Sequence, residues 1–389
     1  MPLTPFRLRC GLTLANRFVK SAMAEGLATA HMLPTARHER LYRRWATGGA
    51  GLLVTGNVMI DPAHAVARGD VAIGDAKGAF RRWADAAAHE GVPTFLQLSH
   101  PGRQTPRALT PAPVAPSAVL LERSRLLFAP PRALSPLEIE GLVRRFAVAA
   151  RLAEETGFAG VQIHAAHGYL VSQFLSPKTN CRRDEWGGSA EKRCRFLVEV
   201  VRAVRKATGR SFAVAVKLNA SDFLHGGLEL GESMEIARRL DDEGIDLLEV
   251  TGGTYESEAV LARRSSARPA RDAYFLDYVR AVRPLTTVPL LLTGGQRRAS
   301  AMAAALREGA HDLIGLARPL VLAPDLPKRL ALGETLALAG PTPLGLRATD
   351  SAMELAWYTR QIHRLADGQE PQPNDSRASA LFRALLGVT

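Results

Sequence analysis

Two patterns of apolar residues alternate along the chain. Short runs rich in Val, Ile and Leu are apolar at nearly every position, and each leads through a polar or glycine-bearing corner into a segment with helical periodicity. The runs cover residues 17–22, 51–55, 93–99, 160–165, 212–219, 247–251, 289–293 and 312–317. The helical segments cover 34–47, 77–89, 136–155, 189–208, 231–243, 273–282, 298–307 and 324–330. A run that is apolar throughout suits a strand buried on both faces, as in a parallel sheet covered by helices. Eight such units, about 42 residues apart, predict one (β/α)8 TIM barrel over residues 1–340 rather than an open doubly wound sheet. No G-x-G-x-x-G follows any run, and the nearest glycine cluster, Gly48-Gly49-Ala50-Gly51, precedes its strand.

Helix boundaries are written locally. Ser135-Pro136-Leu137-Glu138 offers an N-cap, a proline at the first helical position and an acidic first turn. Gly91, Gly157, Gly209, Gly244 and Gly309 stand where helices end, which predicts left-handed glycines there. Two connections are long. Residues 100–136 hold eight prolines, and 167–188 form a second loop; connections of this length in a compact domain are commonly functional. Residues 341–389 form a C-terminal helical extension, with helices expected at 352–365 and 378–386, packed on the barrel or on a second subunit of a homo-oligomer.

Such barrels carry their chemistry on the loops after the strands. Polar and glycine residues gather there: Ser21-Ala22-Met23-Ala24, Gly56-Asn57, Gln97, His164-Ala165-Ala166-His167-Gly168-Tyr169, Lys217, Gly294-Gly295 and Ala317-Arg318. Gly294-Gly295 lets backbone N–H groups approach an anion, and Arg318 adds a forked cation, so the seventh and eighth strand ends suggest a phosphate site. His164 and His167 can donate two hydrogen bonds to one carbonyl oxygen, and the Tyr169 phenol, of a type whose reference pKa is about 10, can deliver a proton. The H-x-x-H spacing also occurs in metal sites, but no third ligand stands at useful spacing, so no metal is expected. Gln97 suits a ring edge that both donates and accepts, and an inward Lys217 on an apolar strand suits developing negative charge.

Composition narrows the class. With 389 residues, 47% of them hydrophobic and 23% charged, the chain is not disordered, collagenous or a coiled coil. The net charge of 50 − 38 = +12 raises nucleic acid as a partner, but the basic residues are spread over several helices and only seven of the 50 are Lys. No nucleic-acid-binding pattern accompanies them, so the surplus is read as a solvated surface that draws anionic cofactors. Three Cys form no disulfide framework or cluster-binding set. With no signal-peptide pattern and no run of 18 apolar residues, the expectation is a cytoplasmic protein free of the membrane.

The motifs resemble the Old Yellow Enzyme family of FMN-dependent oxidoreductases. The resemblance runs from Leu12 to Leu330 through Asn16-Arg17, Gln97-x-x-His100-x-Gly102-Arg103, the stretch Gly160 to Leu175, and Trp186-Gly187-Gly188-Ser189-x-Glu191-x-Arg193. It implies that Ser21, Ala22, Met23 and Ala24 line the flavin, that Gln97 meets its pyrimidine and that Lys217 sits near N1 and O2. Asn57 joins this cofactor-binding set, at a position where relatives carry a small residue. Gly294, Gly295, Ala317 and Arg318 would hold the phosphate. His164 and His167 would bind a substrate carbonyl, and Tyr169 would be the proton donor. This chain has Ala24 where relatives often have Thr or Cys, Lys217 where Arg is common and Ala22 where Pro is frequent.

The implied reaction is a ping-pong ene-reduction. NADH or NADPH reduces FMN, hydride passes from flavin N5 to the β-carbon of an α,β-unsaturated carbonyl compound, and Tyr169 protonates the α-carbon. Two alternatives stay open: an NAD(P)H oxidase, dehydrogenase or oxidative demethylase on the same barrel, and a phosphate-binding aldolase or isomerase using Lys217.

Overall fold

Eight parallel strands close on themselves in a computed structural model that describes residues 2–121, 125–254, 256–257, 271–294, 299–334 and 347–386. They are β1 (Phe18–Lys20), β2 (Leu52–Met59), β3 (Thr94–Ser99), β4 (Gly160–Ala165), β5 (Ala213–Asn219), β6 (Leu247–Thr251), β7 (Leu290–Thr293) and β8 (Leu313–Leu316). Each pairs with its sequence neighbours, and β1 pairs with both β2 and β8, which shuts the barrel. The eight expected runs are these eight strands. β2 runs four residues past its expected end because a register shift between Val54 and Asn57 lets its tip pair with a short strand at Val71–Ala72.

The helices are α1 (Ala36–Thr47), α2 (Lys77–Ala87), α3 (Pro136–Glu155), α4 (Leu170–Leu175), α5 (Ala190–Ala207), α6 (Leu230–Asp242), α7 (Arg271–Val282), α8 (Ala299–Arg307), α9 (Arg318–Leu322), α10 (Leu326–Ala331), α11 (Arg347–Ala366) and α12 (Arg377–Leu386). The cap read for α3 forms as a reciprocal box: Glu138 N–H donates to Ser135 Oγ at 3.3 Å, and Ser135 N–H donates to Glu138 Oε2 at 2.8 Å. Two local expectations need correction. Residues 167–188 are not all loop, because the apolar Leu170–Leu175 segment buries every side chain as α4. Gly91, Gly157, Gly244 and Gly309 take positive φ, but Gly209 does not; its N–H donates to Glu154 Oε1 at 2.8 Å instead.

Period-two alternation sorts the barrel interior into two layers. The lower layer is apolar: Val19, Leu52, Val54, Phe95, Ala213, Ala215, Leu247, Leu291 and Leu313 form one buried cluster, plugged by Leu8 and Leu14 of the N-terminal hairpin. Two residues further along, the inward positions turn polar at Ser21, Gln97, Gln162, Lys217, Glu249 and Thr293. Outside the strands a larger apolar cluster joins them to the helices.

The C-terminal extension packs on this same barrel. Asp367, just past α11, accepts from Arg37 of α1 at 2.8 Å, and His363 Nε2 lies 2.8 Å from the Glu25 carbonyl. The expected boundary at 340 falls outside the described residues. No helix among the described residues is long and apolar enough to cross a membrane.

Candidate active site

The polar upper layer is a connected network. Gln97 Nε2 donates to Gln162 Oε1 at 2.7 Å, Gln162 Nε2 donates to Glu249 Oε2 at 2.7 Å, and Lys217 Nζ lies 2.9 Å from Glu249 Oε1. Strand register explains the adjacency, since Gln97 is level with Gln162 and Lys217 is level with both His164 and Glu249. All four side chains are buried. Sequence reading found Gln97 and Lys217 but missed Gln162 and Glu249. A signal existed: Gln162 precedes His164 by two on one strand, and Glu249 is the one charged residue between apolar neighbours in a five-residue buried strand.

The expected histidine and tyrosine cluster forms above this network. His164 lies 5.2 Å from His167 and 4.8 Å from Tyr169, ring centre to ring centre. A positive φ of 60° at His167 turns the chain back over the strand end, where His167 Nε2 lies 3.1 Å from Thr251 Oγ1 and its backbone N–H donates to Asn219 Oδ1 at 3.2 Å. His164 Nδ1 is buried with no hydrogen-bond partner among the described residues. Burial, then His167 and Lys217, hold the His164 imidazole well below its usual pKa. Burial and Lys217 push His167 down to about 3. Both rings are therefore neutral at neutral pH and can each donate one N–H.

The other expected residues ring the mouth. Ser21 Oγ lies 2.8 Å from Thr293 Oγ1, joining β1 to β7. Ala22 packs toward the interior cluster, Met23 toward the outer core, and Ala24 is exposed. Asn57 is level with Gln97, and its Nδ2 is buried without a partner among the described residues. Gly294 has φ +106° and is exposed, with Phe275 as the nearest side chain, 3.8 Å from where a Cβ would stand. Gly295 lies outside the described residues. Ala317 caps α9, and Arg318 at its start pairs with Glu354 of α11 at 3.0 Å. Together these groups offer polar partners for a flat heterocycle across the mouth and a cation for an anionic tail at β7–β8.

Two further clusters stand apart from the mouth. Lys20 faces outward from β1 into the seam with α1, fully buried, where its Nζ donates to the Val54 carbonyl at 2.8 Å and Tyr42 Oη at 3.2 Å. Asp61, His64 and His100 bring their ligating atoms within 4.8 Å of one another. His100 Nδ1, however, accepts the Gly102 N–H at 3.0 Å, so in the neutral ring Nε2 carries the proton and is a donor rather than a metal ligand.

A family model described as NADH:flavin oxidoreductase / NADH oxidase matches residues 3–336. The NADH-dependent flavin oxidoreductase iccE of Talaromyces variabilis is 40% identical, over 92% of this chain and 96% of its own length. The NADH-dependent flavin oxidoreductase iliE of Neonectria sp. (strain DH2) is 41% identical over 87% of this chain, which spans only 48% of that longer protein. An old yellow enzyme homologue from Zymomonas mobilis superposes with a TM-score of 0.74 at 28% identity, covering 86% of this chain and 93% of its own.

Proposed function

The chain belongs to the NADH:flavin oxidoreductase / NADH oxidase family, and on that premise we propose that it reduces the activated C=C bond of α,β-unsaturated carbonyl compounds. It is an NADH-dependent flavin oxidoreductase of the Old Yellow Enzyme type that works with FMN and NAD(P)H. The mouth fits FMN on its donor set: an unpartnered buried Asn57 Nδ2, a buried Lys217 ammonium, the Ser21 hydroxyl, open backbone at Gly294 after β7 and the half-exposed Arg318 guanidinium after β8. When bound, FMN supplies the hydride carrier that amino-acid side chains lack. Gln97, Asn57 and Lys217 hold the polar edge of the ring, Ser21 to Ala24 line it, and Gly294, Gly295, Ala317 and Arg318 hold the phosphate.

The observation that carries the reading is the grouping of His164 with His167 and Tyr169 at the strand end, their ring centres 5.2 Å and 4.8 Å from that of His164. A substrate carbonyl accepts hydrogen bonds from the two neutral imidazoles, which orient it and stabilise negative charge on its oxygen. One such donor contributes about 3 kcal/mol in comparable sites. Tyr169, almost fully buried, delivers a proton to the substrate α-carbon away from bulk water.

Anaerobic stopped-flow tests this. Protein reduced with NADH is mixed with a panel of enones, and at least one reoxidises it rapidly. Tyr169→Phe slows that step by about a hundredfold or more. Reoxidation by oxygen alone, unaffected by Tyr169→Phe, would establish the oxidase reading instead.

A further inference from the structure

We propose that Glu249, which no ligand in the mouth need touch, is a positioning residue that fixes which end of the Gln97 amide faces the flavin pyrimidine. The inference rests on the placement of that ring at Gln97.

The argument is one of donors and acceptors. Glu249 lies 2.9 Å from the Lys217 ammonium with both side chains sealed from solvent, and a carboxylate held by a cation only accepts. Its second oxygen, 2.7 Å from the Gln162 amide, therefore requires Gln162 to present its NH2 end. Gln162 is left with its carbonyl pointing the other way, toward Gln97 at 2.7 Å. Gln97 must in turn present its own NH2 to Gln162. An amide has only two ends, so Gln97 Oε1, which bonds to no described residue, is the atom offered to the mouth.

The polarity of the chain thus runs from the ion pair through two amides to an acceptor. A pyrimidine edge presents one N–H, at N3, between two carbonyls. An acceptor at Gln97 selects for that N–H, whereas an amide free to turn would offer a donor for part of the time. Burial makes the choice consequential, because a donor facing a donor in a low-dielectric site is left unsatisfied. Lys217 serves both as the anchor of the relay and as the charge at the neighbouring ring edge.

The test separates this relay from the ring placement and from simple charge effects. Holoprotein loaded with 15N-labelled FMN is read for exchange protection of the flavin N3–H by NMR, and for FMN release on dilution by fluorescence. Gln162→Leu cuts the relay without changing any charge. Glu249→Gln is isosteric, so it tests the same link in a variant that repacks nothing. Gln97→Leu removes the terminal acceptor. The relay predicts that Gln97→Leu loses N3–H protection by about tenfold, the equivalent of one hydrogen bond, and that Gln162→Leu and Glu249→Gln each lose it in the same direction by a smaller, measurable factor. Protection lost in Gln97→Leu but kept in both Gln162→Leu and Glu249→Gln overturns the relay. Protection unchanged in Gln97→Leu overturns the placement of the ring. A loss confined to Glu249→Gln reports the altered charge beside Lys217 and also overturns the relay.

Discussion

Arg318 Nη1 lies 3.0 Å from Glu354 Oε1, an ion pair that joins the end of β8 to the C-terminal helix α11. The guanidinium is half exposed while the carboxylate is nearly buried, so the helix holds the arginine at the rim with part of its donor fork turned outward. Pairs with an exposed member contribute only about 0 to 1 kcal/mol, whereas a charge-assisted contact to a phosphate contributes about 1.5 to 3 kcal/mol.

The two residues should therefore separate in their effect on cofactor binding. Arg318→Ala is expected to weaken FMN binding by about ten- to a hundredfold. Glu354→Gln should change it by no more than about threefold, because little pairing energy is lost. Fluorescence titration of FMN into the two variants measures both. Equal losses would mean that the arginine cannot reach the phosphate without its helical anchor.

Acid should unfold this protein early. Burial pushes His38 and His311 down to about 4 and His100 and His167 down to about 3, from an ordinary 6.5. Each folded-state pKa lies below the unfolded one, so between pH 6.5 and the folded value the unfolded chain binds more protons. Stability therefore falls as pH drops through that window, by about 1.4 kcal/mol per unit for each ring. Asp70 acts in the opposite sense: burial raises it to about 6, so between pH 6 and 4 the folded state binds the extra proton and offsets about one histidine. The expected outcome is a melting temperature that declines steeply below pH 6, with a shallower slope in His38→Gln.

Lys20 tests the seam behind the barrel. Its ammonium lies 3.9 Å from Glu25, which also accepts the Gly56 N–H at 2.8 Å, and it stands 4.3 Å from the centre of the Trp45 ring. Burial lowers Lys20 to about 8, opposed by Glu25. Lys20→Met should cost about 3 to 5 kcal/mol because it strands a buried carboxylate. The double variant Lys20→Met/Glu25→Gln should cost less than Lys20→Met alone. Urea denaturation of the wild-type protein, the single variants Lys20→Met and Glu25→Gln and the double variant measures this, and a double variant as unstable as the sum of the singles would show that the two groups are uncoupled.

Much of the candidate site was legible because it is local. His164, His167 and Tyr169 lie within six residues, on a strand end that period-two alternation points into the mouth. Gln97 and Lys217 were legible for a related reason: a long polar side chain in a doubly buried strand is costly unless it serves the site. Their partners were harder to see. Gln162 and Glu249 are 87 residues apart, and only the register of β4, β5 and β6 makes them neighbours. The Lys20 seam is of the same kind, since Glu25 and Tyr42 reach it from a loop and a helix.

The sequence by itself determined the eight βα units, the grouping of His164, His167 and Tyr169 and the identity of the strand ends, because burial on both faces and alternation of side chains are written in consecutive residues. Tertiary structure alone decided which carboxylate holds Lys217, which amide faces the mouth and which helix anchors Arg318. Those choices depend on strand register and on where the chain's end returns to pack. A hydrogen bond between two side chains requires an approach to within about 3 Å, and for residues far apart in the chain only the closed barrel sets that distance.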